Sequence, residues 1–294
     1  MTQPQPILVL GRSGQLAAGL LRHLGEEAVA AGRAELDLAD PGADLEGLLK
    51  SLRPRAVVNA AAYTAVDLAE TEIAACRALN RDAVGRLAEI CARLDTPLVH
   101  ISTDYVFSGE KAAPYVERDV PGPLNVYGLT KAEGELALAS AMLPYRKARW
   151  SILRTSWVFD AMGAGFLQSM LRLGPTRDEL AIVADQHGCP TSVDSLAEAV
   201  ILAVEHLLAG DDAFCGLVHV AGADDATWAE FAGEIFAQAR LAVRIKAITT
   251  EAYGAPARRP KNSRLDCGYI QSISRWRPRP WREQLQFEFR KMDR

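Results

Sequence analysis

Ile7-Leu-Val-Leu10-Gly11-Arg-Ser-Gly14-Gln-Leu-Ala17 decides the fold. Four consecutive apolar residues mark a strand buried on both faces, and they run directly into a glycine turn and a helix that reaches about His23. In that strand-to-helix setting the spacing Gly11-x-x-Gly14-x-x-Ala17 points to dinucleotide binding. The first glycine permits the tight turn, the second lets backbone approach a pyrophosphate, and the small third residue lets helix and strand pack closely. An ordinary strand-to-helix turn is the competing reading of the motif taken alone.

Outward from this unit, apolar runs recur at 56–59, 97–101 and 151–154, with a shorter one at 28–30. Helical patterns separate them at about 44–52, 67–94 and 125–142. Strands and helices alternating at this length predict a Rossmann-type α/β fold, a doubly wound parallel sheet with helices on both faces. Beyond Trp157 the alternation loosens. Helices are expected at 166–173, 195–208 and 227–239, with a short strand at 217–220. The expected division is a dinucleotide-binding domain over 1–156 and a smaller C-terminal lobe over 157–294, some of whose segments return to the sheet.

Composition narrows the function. The chain has 294 residues, 49% of them hydrophobic and 24% charged, enough for one large or two moderate domains. Net charge is −4 and no run of Lys or Arg lies among aromatics, which argues against a nucleic-acid groove. Cys76, Cys91, Cys189, Cys215 and Cys267 show no Cys-x-x-Cys spacing, so neither zinc nor a disulfide framework is expected. The first apolar stretch is too short for a signal peptide or a membrane span, and cytoplasm is the expected location.

Three further places carry chemistry. Tyr127 and Lys131 stand four residues apart, which on a helix puts a phenol and an ammonium on one face. A free Tyr titrates near ~10, and a neighbouring cation favours its phenolate, so the pair suits proton transfer to a substrate oxygen. Tyr-x-x-x-Lys also arises by chance on helix surfaces. At the second strand, Ala28-Val-Ala-Ala-Gly32-Arg33 has no carboxylate at its tip, and Arg33 can pair with a 2′-phosphate or be an exposed Arg without a specific role. Asp37 and Leu38 follow where an adenine amine is expected. Asn59-Ala-Ala-Ala62-Tyr63-Thr64 closes the third strand with small residues, where backbone can lie flat against a cofactor. His100, His187 and His219 are read as packed residues, with only His187 a candidate to lie near substrate.

Taken in order, the glycine turn, Asn59-Ala-Ala-Ala-Tyr-Thr-Ala-Val-Asp67, Ser102-Thr-Asp-Tyr-Val-Phe107, Pro123-Leu-Asn-Val-Tyr-Gly-Leu-Thr-Lys131, Arg154-Thr-Ser-Trp-Val-Phe159, Asp185-Gln-His-Gly-Cys-Pro-Thr191 and Arg259-Pro-Lys-Asn-Ser-Arg264 resemble the dTDP-4-dehydrorhamnose reductases. These are extended short-chain dehydrogenases, and the resemblance covers nearly the whole chain. It implies NADPH or NADH as cofactor, a dTDP-sugar as substrate, and a catalytic Thr103, Tyr127 and Lys131. It also implies that Gly11, Gly14, Gln15, Leu16, Ala62, Tyr63, Thr64 and Ile101 face the cofactor, and that Asp104, Trp157, Arg259, Asn262 and Ser263 face the sugar nucleotide. Relatives that dimerise around magnesium use an acidic residue near the middle of the first helix. Gly19 stands there, so no metal requirement is expected, and the assembly is expected to be a monomer or weak dimer. A 4-ketosugar reductase of other stereochemistry and a non-catalytic NAD(P)-binding subunit are the rival readings.

Overall fold

The structure is a computed structural model that describes residues 5–292. Strands β1 (Ile7–Leu10), β2 (Ala28–Ala31), β3 (Ala56–Asn59), β4 (Leu98–Thr103) and β5 (Trp150–Thr155), with a late strand Gly216–His219, form one all-parallel sheet. From one edge the order is the late strand, β5, β4, β3, β1, β2. The order reverses between β1 and β3, so the strand ends open a crevice there.

Side chains alternate across the sheet and helices cover both faces, which is why its strands are largely apolar. Val9, Val58, Val99 and Leu153 meet Leu16 and Leu20 of α1 (Gln15–Leu24) and Leu196 and Val200 of helix Val193–Ala209 on one face. On the other, Leu8, Leu10, Val57 and Ile152 meet Leu49 of α2 (Leu45–Leu52), Leu87 of helix Ala83–Arg93 and Leu138 of helix Val126–Met142. Each buried Leu or Val of this kind contributes about 1.5–3 kcal/mol through the apolar area it removes from water.

The residues after 156 lie in two places. Helix Val193–Ala209 and strand Gly216–His219 complete the sheet layer. Helices Phe166–Leu173, Trp228–Gln238 and Trp281–Met292 close around Phe159, Phe231 and Trp281 as a separate apolar cluster. A parallel pair of strands, Glu179–Val183 and Arg244–Ile248, flanks it, a feature the sequence pattern does not single out.

The helix expected over 67–94 is not continuous. It runs as Val66–Ala69, Ile73–Arg77, a π-helical turn Ala78–Asp82 and Ala83–Arg93. The side chain of Asn80, in the π turn, accepts from Tyr63 N at 2.8 Å and donates to Tyr63 O at 3.1 Å, tying the segment to the loop after β3. Helix Val126–Met142 crosses this turn at Gly134, where a Cβ would lie 2.1 Å from Asn80 O. Gly134→Ala is therefore expected to destabilise the protein by about 1–3 kcal/mol through forced overpacking, although Ala exceeds Gly by about 1 kcal/mol in helix propensity. Urea unfolding reads this directly, and a midpoint equal to or above wild type refutes it.

Candidate active site

A cleft of about 850 Å³ opens at the carboxyl ends of β1, β3, β4 and β5. Its floor is the glycine turn. Gly11 has φ +102°, and a Cβ on it would approach Ala61 N to 3.2 Å, so both conformation and space require glycine. Gly14 opens α1 with free space where a Cβ would stand, with no side-chain cap and no acidic residue in the first turn. The N–H groups and positive end of α1 thus face the cleft uncompensated, which fits the diphosphate of a dinucleotide. Gln15, Leu16, Ala62, Thr64 and Ile101 also line the cleft.

At the tip of β2 the sequence reading needs correction. Arg33 lines the cleft, but so does a carboxylate, that of Glu35. The chain turns back after Gly32, with Leu36 N donating to Gly32 O at 2.9 Å, and this returns Glu35 to the strand end. There its carboxylate accepts from Gly32 N at 2.9 Å and pairs with Arg12 at 3.0 Å. Arg12, also on the cleft, is a second cation that sequence reasoning missed. Asp37 and Leu38 lie outside the cleft wall. Asp37 caps Ala39 N at 3.0 Å, and Leu38 is buried in the core beneath α2. Tyr63 also lies outside it, its hydroxyl donating to Glu72 at 2.8 Å.

Thr103, Asp104, Tyr127, Lys131 and Trp157 come together on the cleft. Thr103 ends β4, and its hydroxyl donates to Asp104 Oδ1 at 2.9 Å while accepting from Tyr105 N at 3.2 Å. Tyr127 stands in the first turn of helix Val126–Met142, which Asn125 caps by accepting from Gly128 N at 2.7 Å. Burial pushes the Tyr127 phenol up to about 12, with a hydrogen bond to Thr103 pulling the other way and Asp104 and Cys76 adding to the rise. The expected lowering by Lys131 is not what the fold provides. The Lys131 amine is instead directed at Ile101 O, at 2.6 Å, and His100 Nε2, at 3.2 Å. Burial pulls Lys131 down to about 8, against Glu135 and Cys76, which favour its charge.

Asp104 is buried, with Oδ2 lacking a hydrogen-bond partner. Burial raises it to about 7, against the hydroxyls of Ser263 and Thr103. Trp157 has φ +47°, a costly conformation for a bulky residue. It is held by stacking on Trp228 with centroids 3.5 Å apart, and by Gly188, whose absent Cβ leaves room for the indole.

The motif around residue 260 lies outside the cleft wall. Arg259 forks onto Asp67 with two bonds of 2.9 Å. Asn262 donates to Ala113 O and accepts from Arg264, so its amide serves the scaffold. Ser263 donates to His187 O at 3.3 Å and favours the Asp104 carboxylate from outside the wall. His187 is exposed beside Asp225 and His219 is buried under Phe107, whereas His100 touches Lys131, a contact missed because it depends on strand register. Gly19 packs on Val193, where a Cβ would lie 2.1 Å from Cγ1, so position 19 has no room for any side chain. Chemically, the cleft offers a cradle for an anionic dinucleotide beside a protonated phenol, a hydroxyl and an amine.

Residues 5–293 match the family model described as the RmlD substrate binding domain. The dTDP-4-dehydrorhamnose reductase of Sinorhizobium fredii is 41% identical over 284 residues, 94% of each chain. That of Burkholderia thailandensis is 44% identical over 274 residues, 88% of this chain and 89% of that one. The crystal structure of dTDP-4-dehydrorhamnose reductase from Bacillus anthracis in complex with NADP superimposes with a TM-score of 0.91 at 31% identity, covering 98% of this chain and all of that one.

The environment of Asp104 gives a pH test. An unfolded aspartate releases its proton near ~3.9, whereas Asp104 in the fold holds it to about 7. Between those values the folded state binds the extra proton, so the stability this group contributes is full at low pH and is lost as pH rises through about 7. Asp104→Asn should flatten that decline in urea unfolding between roughly pH 4.5 and 7.5. Parallel pH profiles for the two proteins refute it.

Proposed function

The chain belongs to the RmlD substrate-binding-domain family, and from that membership we propose that it reduces the 4-keto group of dTDP-4-dehydro-6-deoxy-L-mannose to give dTDP-L-rhamnose. The observation that carries this reading is the convergence of Thr103, Tyr127 and Lys131 on one cleft with the Gly11-to-Gly14 turn. A nicotinamide dinucleotide bound there supplies the hydride. Tyr127, its phenol held protonated by burial, gives its proton to the sugar oxygen as charge develops on it. The Thr103 hydroxyl orients that oxygen and donates to it, stabilising the nascent alkoxide. Lys131 holds the cofactor ribose beside Tyr127. Asp104, held to about 7 by burial and so partly protonated near neutral pH, presents a further donor to the sugar in that form, and Trp157 walls the pocket. The product serves polysaccharide synthesis in the cytoplasm, where the five free thiols stay reduced.

The enzymatically prepared keto-sugar nucleotide, mixed with protein and NADPH in EDTA, tests the reading. Oxidation of NADPH with dTDP-L-rhamnose as the NMR-identified product is expected, without added magnesium. Tyr127→Phe keeps the ring and removes the proton, so kcat should fall by roughly two to four orders of magnitude with folding intact. A Phe variant of near-full kcat refutes the assignment of the acid.

For the cofactor, NADPH is read as accepted at least as well as NADH, because Arg33 and Arg12 flank the β2 tip. Glu35 opposes a 2′-phosphate there, but its charge is engaged by Arg12 and Gly32 N. Arg33→Ala should raise KM for NADPH more than for NADH. Equal effects on both remove Arg33 from phosphate recognition.

A further inference from the structure

The parallel pairing of β3 with β4 sets Asn59 beside His100, and the contacts there have a fixed direction. Asn59 Oδ1 accepts from the backbone N–H of Ala61 at 3.2 Å. A backbone N–H cannot become an acceptor, so this contact fixes which way the Asn59 amide faces. Asn59 Nδ2 therefore donates to His100 Nδ1, 3.1 Å away. A neutral imidazole whose Nδ1 accepts carries its single proton on Nε2. His100 is neutral, since burial holds it well below the usual histidine range. Its Nε2–H then points at Lys131 Nζ, 3.2 Å away. An ammonium has donors only and would meet that proton donor to donor, whereas a neutral amine has a lone pair to accept it. The amine's own N–H remains free to donate to Ile101 O at 2.6 Å.

We propose that Asn59 and His100 are positioning residues that ease loss of the Lys131 proton in the ligand-free enzyme, through a hydrogen-bond direction that begins at Ala61 N–H and stabilises the neutral amine relative to the ammonium. The proposal rests on the reading that Lys131 serves the reduction. Other ionisable groups act on the same atoms. Glu135 and Cys76 favour the ammonium, and Glu135 is itself engaged by Arg154. Asp104 and Cys76 act on Tyr127 against its ionisation. Burial, with the direction set by His100, prevails over Glu135 and Cys76. Forming the ammonium requires the His100 proton to move to Nδ1 and the Asn59 amide to turn, at the loss of the Ala61 contact. Lys131 thus stands close to a change of charge, and negative charge entering the cleft shifts it toward the cation that eases proton release by Tyr127.

The test reads Lys131 itself. Lysine labelled with ¹³C at Cε, assigned by Lys131→Arg, is titrated by NMR in the ligand-free protein. A midpoint near 8 is expected for the wild type; one at the ordinary lysine value of about 10.4 overturns the proposal. Asn59→Ala does not alter any group bonded to Lys131, yet it frees Nδ1 to carry the proton and should raise the midpoint by about one pH unit, a tenfold change in the charge ratio. His100→Gln, whose carbonyl can accept from the ammonium, should raise it similarly, and Asn59→Ala should then add nothing in the His100→Gln background. An unmoved or lowered midpoint, or additive shifts in the double variant, overturns the proposal. Absence of keto-sugar turnover by the wild type would sink the reductase reading while leaving this titration intact, so the two failures are distinct.

Discussion

The buried pair of Arg154 and Glu135 holds the cleft in register. Arg154, on β5, forks onto Glu135 with bonds of 2.9 and 2.6 Å, and Ser102 on β4 donates to the same carboxylate at 2.5 Å. Phe107 lies under the guanidinium, 5.0 Å away. Removing such charges from water costs several kcal/mol per ion, and only the fork geometry with a third donor offsets it. Loss of one partner leaves an uncompensated buried charge, at a cost of about 3–5 kcal/mol. Glu135 sits one turn beyond Lys131, and Ser102 immediately precedes Thr103. The pair therefore fixes the rotation and height of helix Val126–Met142 against the strand end that carries Thr103. A well-packed apolar replacement could match its stability without specifying that alignment.

The same helix shows why polar contacts carry the task. It is buried on several sides at once, at Gly128, Thr130, Lys131, Gly134, Glu135 and Leu138, rather than along one apolar stripe. Apolar packing alone lets a helix slide or rotate at modest cost, because hydrophobic contact has no direction. Here Asn80 donates to Thr130 at 3.2 Å, Arg77 forks onto Glu133 with two bonds of 3.1 Å, and Arg154 forks onto Glu135. Gly128 and Gly134 meanwhile let neighbouring backbone approach closely. Directional bonds with close backbone contact leave the helix one position.

What was legible in the sequence follows from which forces are local. The apolar runs of β1, β3, β4 and β5 announce themselves because strands buried on both faces are largely apolar, and Gly11 because its turn excludes a side chain. Tyr127 and Lys131 share a helix, so their spacing carries their relation. Glu35 was missed because it is brought back to the β2 tip by a turn, and position along the chain says nothing of that return. The pairing of Asn59 with His100 needs the register of two strands about forty residues apart, which each strand's own pattern leaves open. The π turn at Ala78–Asp82 was hidden because the helical segments on either side of it each keep their own apolar periodicity. Arg259 and Asn262 stand in a specific motif, but that motif's polarity goes mainly to Asp67, Ala113 and Arg264.

This last allocation changes how the second lobe relates to the chemistry. Asn262 and Arg259 spend their hydrogen bonds holding the 257–264 segment against Asp67 of helix Val66–Ala69 and the loop at 111–113, and the same segment carries Ser263, which favours the Asp104 carboxylate. Asp104 accepts from Thr103 at 2.9 Å, and the hydroxyls of Ser263 and Thr103 both favour its carboxylate against burial. Asp104, Thr103 and Ser263 are buried, where an interaction lost is not replaced by water. Displacing the segment would remove a group that favours the Asp104 carboxylate, raise its hold on its proton, and so alter the field at Tyr127. The lobe thereby acts on the proton inventory of the cleft through Ser263, while Arg259 holds the same segment to Asp67 outside the cleft wall.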